Sequence, residues 1–157
     1  MLTTLPKLHE IDHPLVRYHM TVLRDCRSTP EQFRNQIDRL ATFLAIEATR
    51  DLITIDESVE TPIGTAPGYA LQQSIALIPI LRAGLGLVNP VLGILPQAQV
   101  WHLGMYRDEK TAEPIEYYCK LPDNKPADVA IVLDPMLATG GSVRAAIGTL
   151  QRWGTKD

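Results

Sequence analysis

One stretch of the sequence concentrates groups able to hold an anion. Asp134-Pro135-Met136-Leu137-Ala138-Thr139-Gly140-Gly141-Ser142 follows an apolar run, Val129 to Leu133, and leads into a helical pattern. Glycines let several backbone N–H groups converge on one ligand, because no Cβ stands in the way. The N-terminus of the helix beyond them adds unpaired donors and a partial positive charge. Thr139 and Ser142 add hydroxyls, and such a nest suits a phosphate monoester. Asp134, at the strand end, could accept hydrogen bonds from sugar hydroxyls or approach a cation. The same residues also describe a plain strand-to-helix turn that Thr139 or Ser142 caps. This segment alone leaves both readings open. No lysine follows the glycines, so it is not a Walker A loop.

Two arginines occupy comparable places. Arg82 follows the apolar run "ALIPIL" directly, with Ala83 and Gly84 beside it, and its rigid fork suits pyrophosphate or carboxylate. Arg107 ends "QVWHLGMYR" and opens a charged, turn-rich loop, Asp108 to Glu113, of the kind that closes over ligands. A salt-bridged surface arginine and a solvated loop are the plainer alternatives. Gly84 and Gly86 begin a dinucleotide-like pattern, but Asn89 stands where a third glycine would be. His9 and His13 are four residues apart, yet Pro14 argues that a helix only starts there, and no neighbouring cysteine or third histidine completes a metal set. These histidines, with His19 and His102, read as structural. Cys26 and Cys119 form no CxxC and read as free thiols of a reducing, cytoplasmic setting.

Positioning such residues takes a folded domain, and 157 residues suffice for one core. Apolar residues make up 45% and charged residues 21%, as in an ordinary globular domain. A net charge of -3 and a pI near 5.8 give no electrostatic case for nucleic acid or an anionic membrane as the partner. No apolar run approaches a membrane span, and the N-terminus lacks a secretory layout.

The elements follow from periodicity. His13 to Asp25 is helical, with Leu15, Tyr18, Val22 and Leu23 as its apolar positions. Thr29-Pro30-Glu31-Gln32 is a capping box with proline at the first helical position, opening a helix to about Ala48. Phe33, Ile37, Leu40 and Leu44 form its apolar stripe. Asp51 to Leu71 reads as short strands and turns, a hairpin projecting from the body. Ser74 to Leu81 is a strand buried on both faces, although Pro79 counts against full pairing. A short helix limited or bent by Pro90 follows. Gln99 to Arg107 and Ile115 to Pro122 are strands, Asp128 to Asp134 a second doubly buried strand, and Gly141 to Trp153 a helix with Val143, Ile147 and Leu150 on one side. The alternation implies an α/β fold with a mostly parallel sheet flanked by helices, whose ligands bind beyond the carboxyl ends of the strands. "RAGLG", "RDEKT" and "DPMLATGGS" all stand at such ends.

These residues resemble a known family. "ALIPILRAGLGLVNPVLGILPQAQVWHLGMYRDEKTAEPIEYYCKLP" and "IVLDPMLATGGSV" are similar to the uracil phosphoribosyltransferases, as are "HPLVRYHMTVLRD" and "TPEQFRNQIDRLATFLAIEATRDL", so the likeness spans essentially the whole chain. The wider type I loop carries two adjacent acids; here Pro135 follows Asp134, the variant of the uracil enzymes. The resemblance implies a type I phosphoribosyltransferase fold over 1–157, with an N-terminal helical segment and the projecting hairpin. It implies transfer from 5-phospho-α-D-ribose 1-diphosphate (PRPP) to uracil, giving UMP and pyrophosphate. Arg82 and Arg107 match the pyrophosphate-binding arginines, Asp134 the acid at the ribose hydroxyls, and Pro135 to Ser142 the ribose and 5′-phosphate loop. Mg²⁺ would arrive on the donor, and a homodimer and GTP activation are implied for some members. Family members continue past the last helix into a stretch rich in glycine and aspartate that recognises uracil, so this single domain is expected to be truncated at its C-terminus. Two alternatives are a non-catalytic PRPP- or nucleotide-binding regulator of the same fold and a transferase for another base.

Overall fold

Helix α1 (Pro14–Arg24) starts where Pro14 can sit without an intrahelical N–H partner, and His13 caps it: the extended His13 backbone lets Nδ1 accept from the Leu15 N–H at 3.1 Å. The computed structural model describes residues 8–108, 114–122 and 126–155; the side chains of Arg107 and Pro114 are outside that description. Helix α2 (Pro30–Ala48) opens with the expected capping box, Gln32 N–H donating to Thr29 Oγ1 and Thr29 N–H to Gln32 Oε1.

The apolar stripes of these helices are displaced from expectation. No residue of α1 is buried, and Leu15 and Tyr18 are more than half exposed. In α2 the buried residues are Gln36, Ala41 and Ala45, while Phe33 and Leu44 are about half exposed. Small side chains at positions 41 and 45 let α2 approach Leu87 and Val91 closely, so the intimate face carries alanine and the bulkier residues flank it. Gln36 is tolerated in that interior because its Oε1 accepts from His19 Nδ1 at 2.8 Å and its Nε2 donates to the Gln32 carbonyl.

The expected hairpin is β1 (Thr54–Thr61) and β2 (Gly64–Leu71), antiparallel over their full length and forming a sheet of their own. Gly64, at φ 134°, takes the turn conformation that a side chain would oppose.

In the main sheet, β3 (Ile75–Leu81) pairs in parallel with β7 (Val129–Leu133) on one flank, and with β4 (Gln99–Val100) and β5 (Leu103–Arg107) on the other. Strand β6 (Pro114–Cys119) joins β5 antiparallel. The strand expected over Gln99 to Arg107 is therefore two, interrupted at Trp101-His102. That interruption resolves the Pro79 difficulty. Leu77 C=O accepts from Trp101 N–H, so odd-numbered residues of β3 bond toward this flank. Positions 76–77 pair with β4 and 80–81 with β5, so the N–H that Pro79 lacks falls in the gap between them.

Alternate residues of β3 feed two cores. Ile75 and Leu77 join Ala41, Ala45, Leu87, Val91, Leu95 and Leu133 beneath α2 and α3 (Leu85–Ile94). Ala76, Ile78 and Ile80 join Leu103, Met105, Ala127, Ala146 and Leu150 beneath α4 (Gly141–Trp153). Helix α3 continues four residues past Pro90 to Ile94, so the proline does not end it. Strand β7, expected to be doubly buried, is half-buried except at Leu133; among the described residues it pairs only with β3. In α4, Leu150 is buried and Val143 packs against the same core, as expected, with Ala146 and Thr149 beside them, while Ile147 departs from the expected side at 45% exposure.

Candidate active site

The parallel pairing of β3, β5 and β7 brings three carboxyl ends to one edge. Pro79 lies opposite Leu133 and Leu81 opposite Gly104, so Arg82, the end of β5 at Arg107 and Asp134 all follow from the register. The Arg82 side chain is exposed, and among the described residues no carboxylate forms an ion pair with it, unlike Arg17, Arg27 and Arg50. Its peptide bond with Leu81 is cis. The backbone of Arg107 ends β5, but its side chain is outside the description, as are residues 109–113 of the following loop. The structure thus brings Arg82 and Asp134 together at one edge and, for Arg107, only the main chain.

Asp134 is half-buried, and its Oδ1 accepts from the Met136 N–H at 3.3 Å. The carboxylate thereby turns the chain away from β7. Met136 and Leu137 are then strongly exposed, at 75% and 70%. Pro135, Ala138 and Thr139 are exposed too, so the whole loop from 135 to 139 stands in solvent.

Helix α4 begins at Gly141 behind Gly140, which has φ 74° and ψ 3°. Gly140 is glycine for conformational reasons: its left-handed backbone disfavours a side chain, while a Cβ there would meet only Leu137 Cδ1, at 3.8 Å. The N-cap residue of α4 is Gly140, which has no side chain to cap the helix. A helix that opens on a glycine presents its first N–H groups where an anion can be received. Helix α3, starting after Gly84, is also without a side-chain cap. Two uncapped helix N-termini, one arginine and one carboxylate thus share the edge, an arrangement able to hold a ligand with two phosphate-bearing ends and a polar middle.

Sequence reasoning missed Gly84. Its backbone is ordinary for helix entry, φ −61° and ψ −20°, so conformation does not require glycine. Space does: a Cβ there would lie 2.3 Å from the Leu133 carbonyl oxygen and 2.7 Å from Ile80 N. A cavity of about 940 Å³ lies elsewhere, between α1 and α2, and reaches this edge only through Leu87 and Pro135. Its walls are mainly apolar side chains of the two helices, and its Asp12 and Asp25 already pair with Arg17 and Arg27. Chemistry therefore points to the strand ends and not to the larger space. Among the described residues no cluster of three His, Cys, Asp or Glu side chains could hold a metal ion.

The chain is similar to known proteins. The solved structure of a protein from Aquifex aeolicus superposes on 94% of the chain, and 71% of its own, at TM-score 0.85 and 34% identity. A purine phosphoribosyltransferase from Pyrococcus horikoshii superposes on 77% of the chain at TM-score 0.54 and 18% identity, a likeness of fold. Among sequence relatives, the uracil phosphoribosyltransferase of Roseiflexus castenholzii is 48% identical over 142 residues, 90% of this chain and 68% of the relative. That of Finegoldia magna is 47% identical over 154 residues, 98% of this chain and 74% of the relative. Residues 10–157 match the uracil phosphoribosyltransferase family as a whole, and the chain belongs to that family.

Proposed function

We propose that the chain works as its relatives are named, transferring a phosphoribosyl group from PRPP to uracil with release of pyrophosphate. The observation that carries this reading is the convergence of Arg82, Asp134 and the uncapped Gly140-Gly141-Ser142 helix start on one sheet edge. The 5′-phosphate takes the N–H groups of Ala138 to Ser142 with the Thr139 and Ser142 hydroxyls. Asp134 accepts from the ribose hydroxyls, while Pro135, Met136 and Leu137 carry the loop across the sugar. Arg82 and Arg107 take the pyrophosphate. The C1–O bond loosens, positive charge grows on the ribose, and the uracil nitrogen attacks the opposite face. The protein contributes position and charge stabilisation, and no covalent intermediate is needed. Asp134 and Arg107 are the residues assigned to the reacting region.

Mg²⁺ fits this site as a passenger on the donor. Asp134 is a single carboxylate already engaged with Met136, so pyrophosphate oxygens would supply the other ligands. When bound, the ion neutralises the leaving group. GTP is carried as a candidate activator on family grounds, to be read by adding it to the assay. We assign 1–157 to one phosphoribosyltransferase domain, with a cytoplasmic setting supported by two free cysteines. Among the described residues no helix is long and apolar enough to cross a membrane. A second copy is the proposed partner, with the β1–β2 hairpin as the contact.

The test is titration with Mg·PRPP by calorimetry, followed by an assay of UMP formation from labelled uracil. For residues 1–157, saturable PRPP binding is the expected result, and UMP formation is expected once the chain extends into the uracil-recognising stretch of its relatives. Binding without UMP in such an extended chain would favour the non-catalytic regulator, and absence of PRPP binding would remove both.

A further inference from the structure

We propose that Gly84 is a positioning residue for the donor, wedged so tightly against the end of β7 that it sets the spacing between Arg82 and Asp134. The inference rests on the PRPP reading and deepens it.

The groups assigned to the pyrophosphate and to the ribose of PRPP stand on different loops, each of which leaves the sheet independently. Their separation must nevertheless match one ligand. Gly84 supplies the only backbone approach of this closeness between them among the described glycines. It is buried, although Arg82 and Ala83 before it are exposed. Its N–H donates to the Ile80 carbonyl at 2.9 Å, folding the loop back on β3. The hydrogen that replaces its Cβ points at the Leu133 carbonyl, immediately before Asp134, where a Cβ would lie at 2.3 Å. Backbone meets backbone there, so no side chain can swing aside to make room. Leu133 is itself fixed in the core, at 6% exposure and paired with Pro79. The wedge therefore transmits the position of β7's end to Arg82 through a single residue, Ala83.

Gly84→Ala would force the two loops apart by about 1 Å, a misplacement of the size that costs on the order of 10²-fold in a positioned reaction. The readout that separates positioning from general damage is ligand length. PRPP spans both loops; ribose 5-phosphate reaches only the loop from Asp134 to Ser142. With Mg²⁺ present, the Kd for PRPP should rise by about 10-fold or more in Gly84→Ala, while the Kd for ribose 5-phosphate changes by less than about 3-fold. Gly93→Ala, near the far end of α3, is the control, because its Cβ would meet nothing within 4 Å; both dissociation constants should be unchanged. Equal weakening of both ligands in Gly84→Ala, or no weakening of either, overturns the inference. If Gly84→Ala does not fold, Ala83→Gly keeps the wedge but loosens Arg82 from it. A severalfold rise in the PRPP Kd at unchanged Tm then supports the inference, and an unchanged Kd overturns it. Failure of the unmodified chain to bind PRPP would instead sink the functional reading beneath it.

Discussion

Two residues of the loop after β7 separate conformational cost from chemical cost. Gly140→Ala places a side chain on a left-handed backbone with no steric obstacle beyond ordinary contact with Leu137. The expected cost is about 1–2 kcal/mol of stability, seen as a lower Tm. The first N–H groups of α4 shift with it, so affinity for ribose 5-phosphate should fall by about 10-fold. Asp134→Asn retains an oxygen for the Met136 N–H and should leave Tm nearly unchanged. It removes charge beside the sugar, and turnover should drop by roughly 10²-fold, the scale of losing one stabilising group. A Gly140 variant with a normal Tm would contradict its backbone assignment, and an Asp134 variant with full turnover would take that carboxylate out of the site. The candidate phosphate loop could be proposed at this scale because its glycines, hydroxyls and acid are contiguous. Gly84 was not, because its reason for being glycine is a carbonyl 49 residues away in the chain, which no local pattern encodes.

At the scale of elements, helix starts read more easily than helix faces. The Thr29 box was visible because capping is local chemistry, and the Gly141 start because the glycine pair breaks the strand pattern just before a helical one. The face of α2 was misjudged because periodicity favours large apolar residues, whereas close helix packing selects small ones. That correction has a measurable consequence. Ala41 is 1% exposed against α3 and Phe33 is 48% exposed, so Ala41→Leu should overpack the interface and cost about 1–3 kcal/mol. Phe33→Ser should cost well under half of that. Urea denaturation of the two variants decides it, and the reverse order would restore the original stripe. Pro79 was likewise judged from its own strand alone. The break between β4 and β5 that accommodates it belongs to the partner strand, where Trp101-His102 carries no obvious breaker.

The whole molecule exposes one element that the rest does not explain. The β1–β2 hairpin forms a separate two-stranded sheet, and such a pair is at best marginally stable alone in water. The register puts Ile55, Glu57 and Val59 on one face with Ala66, Gly68 and Ala70, while Asp56, Ser58 and Glu60 share the other with Thr65, Tyr69 and Leu71. Ile55 is 47% and Val59 41% exposed. Pairing Ile55 and Val59 with the same residues of a second copy, with Glu57 between them left toward solvent, would take both from water and hold both hairpins at once, a closed arrangement that a twofold axis provides. Light scattering should therefore give twice the 17.4 kDa mass of the chain. Replacing Ile55 and Val59 together by lysine leaves the main sheet and its strand ends untouched. The double variant should run as a monomer, with the hairpin amides losing hydrogen-exchange protection and β3 keeping it. A monomeric unmodified chain, or a double variant that remains dimeric, would move the contact away from the hairpin. If PRPP binds equally well to the monomeric variant, the donor site is complete within one chain, as expected when Arg82, Arg107, Asp134 and the α4 start all belong to a single sheet.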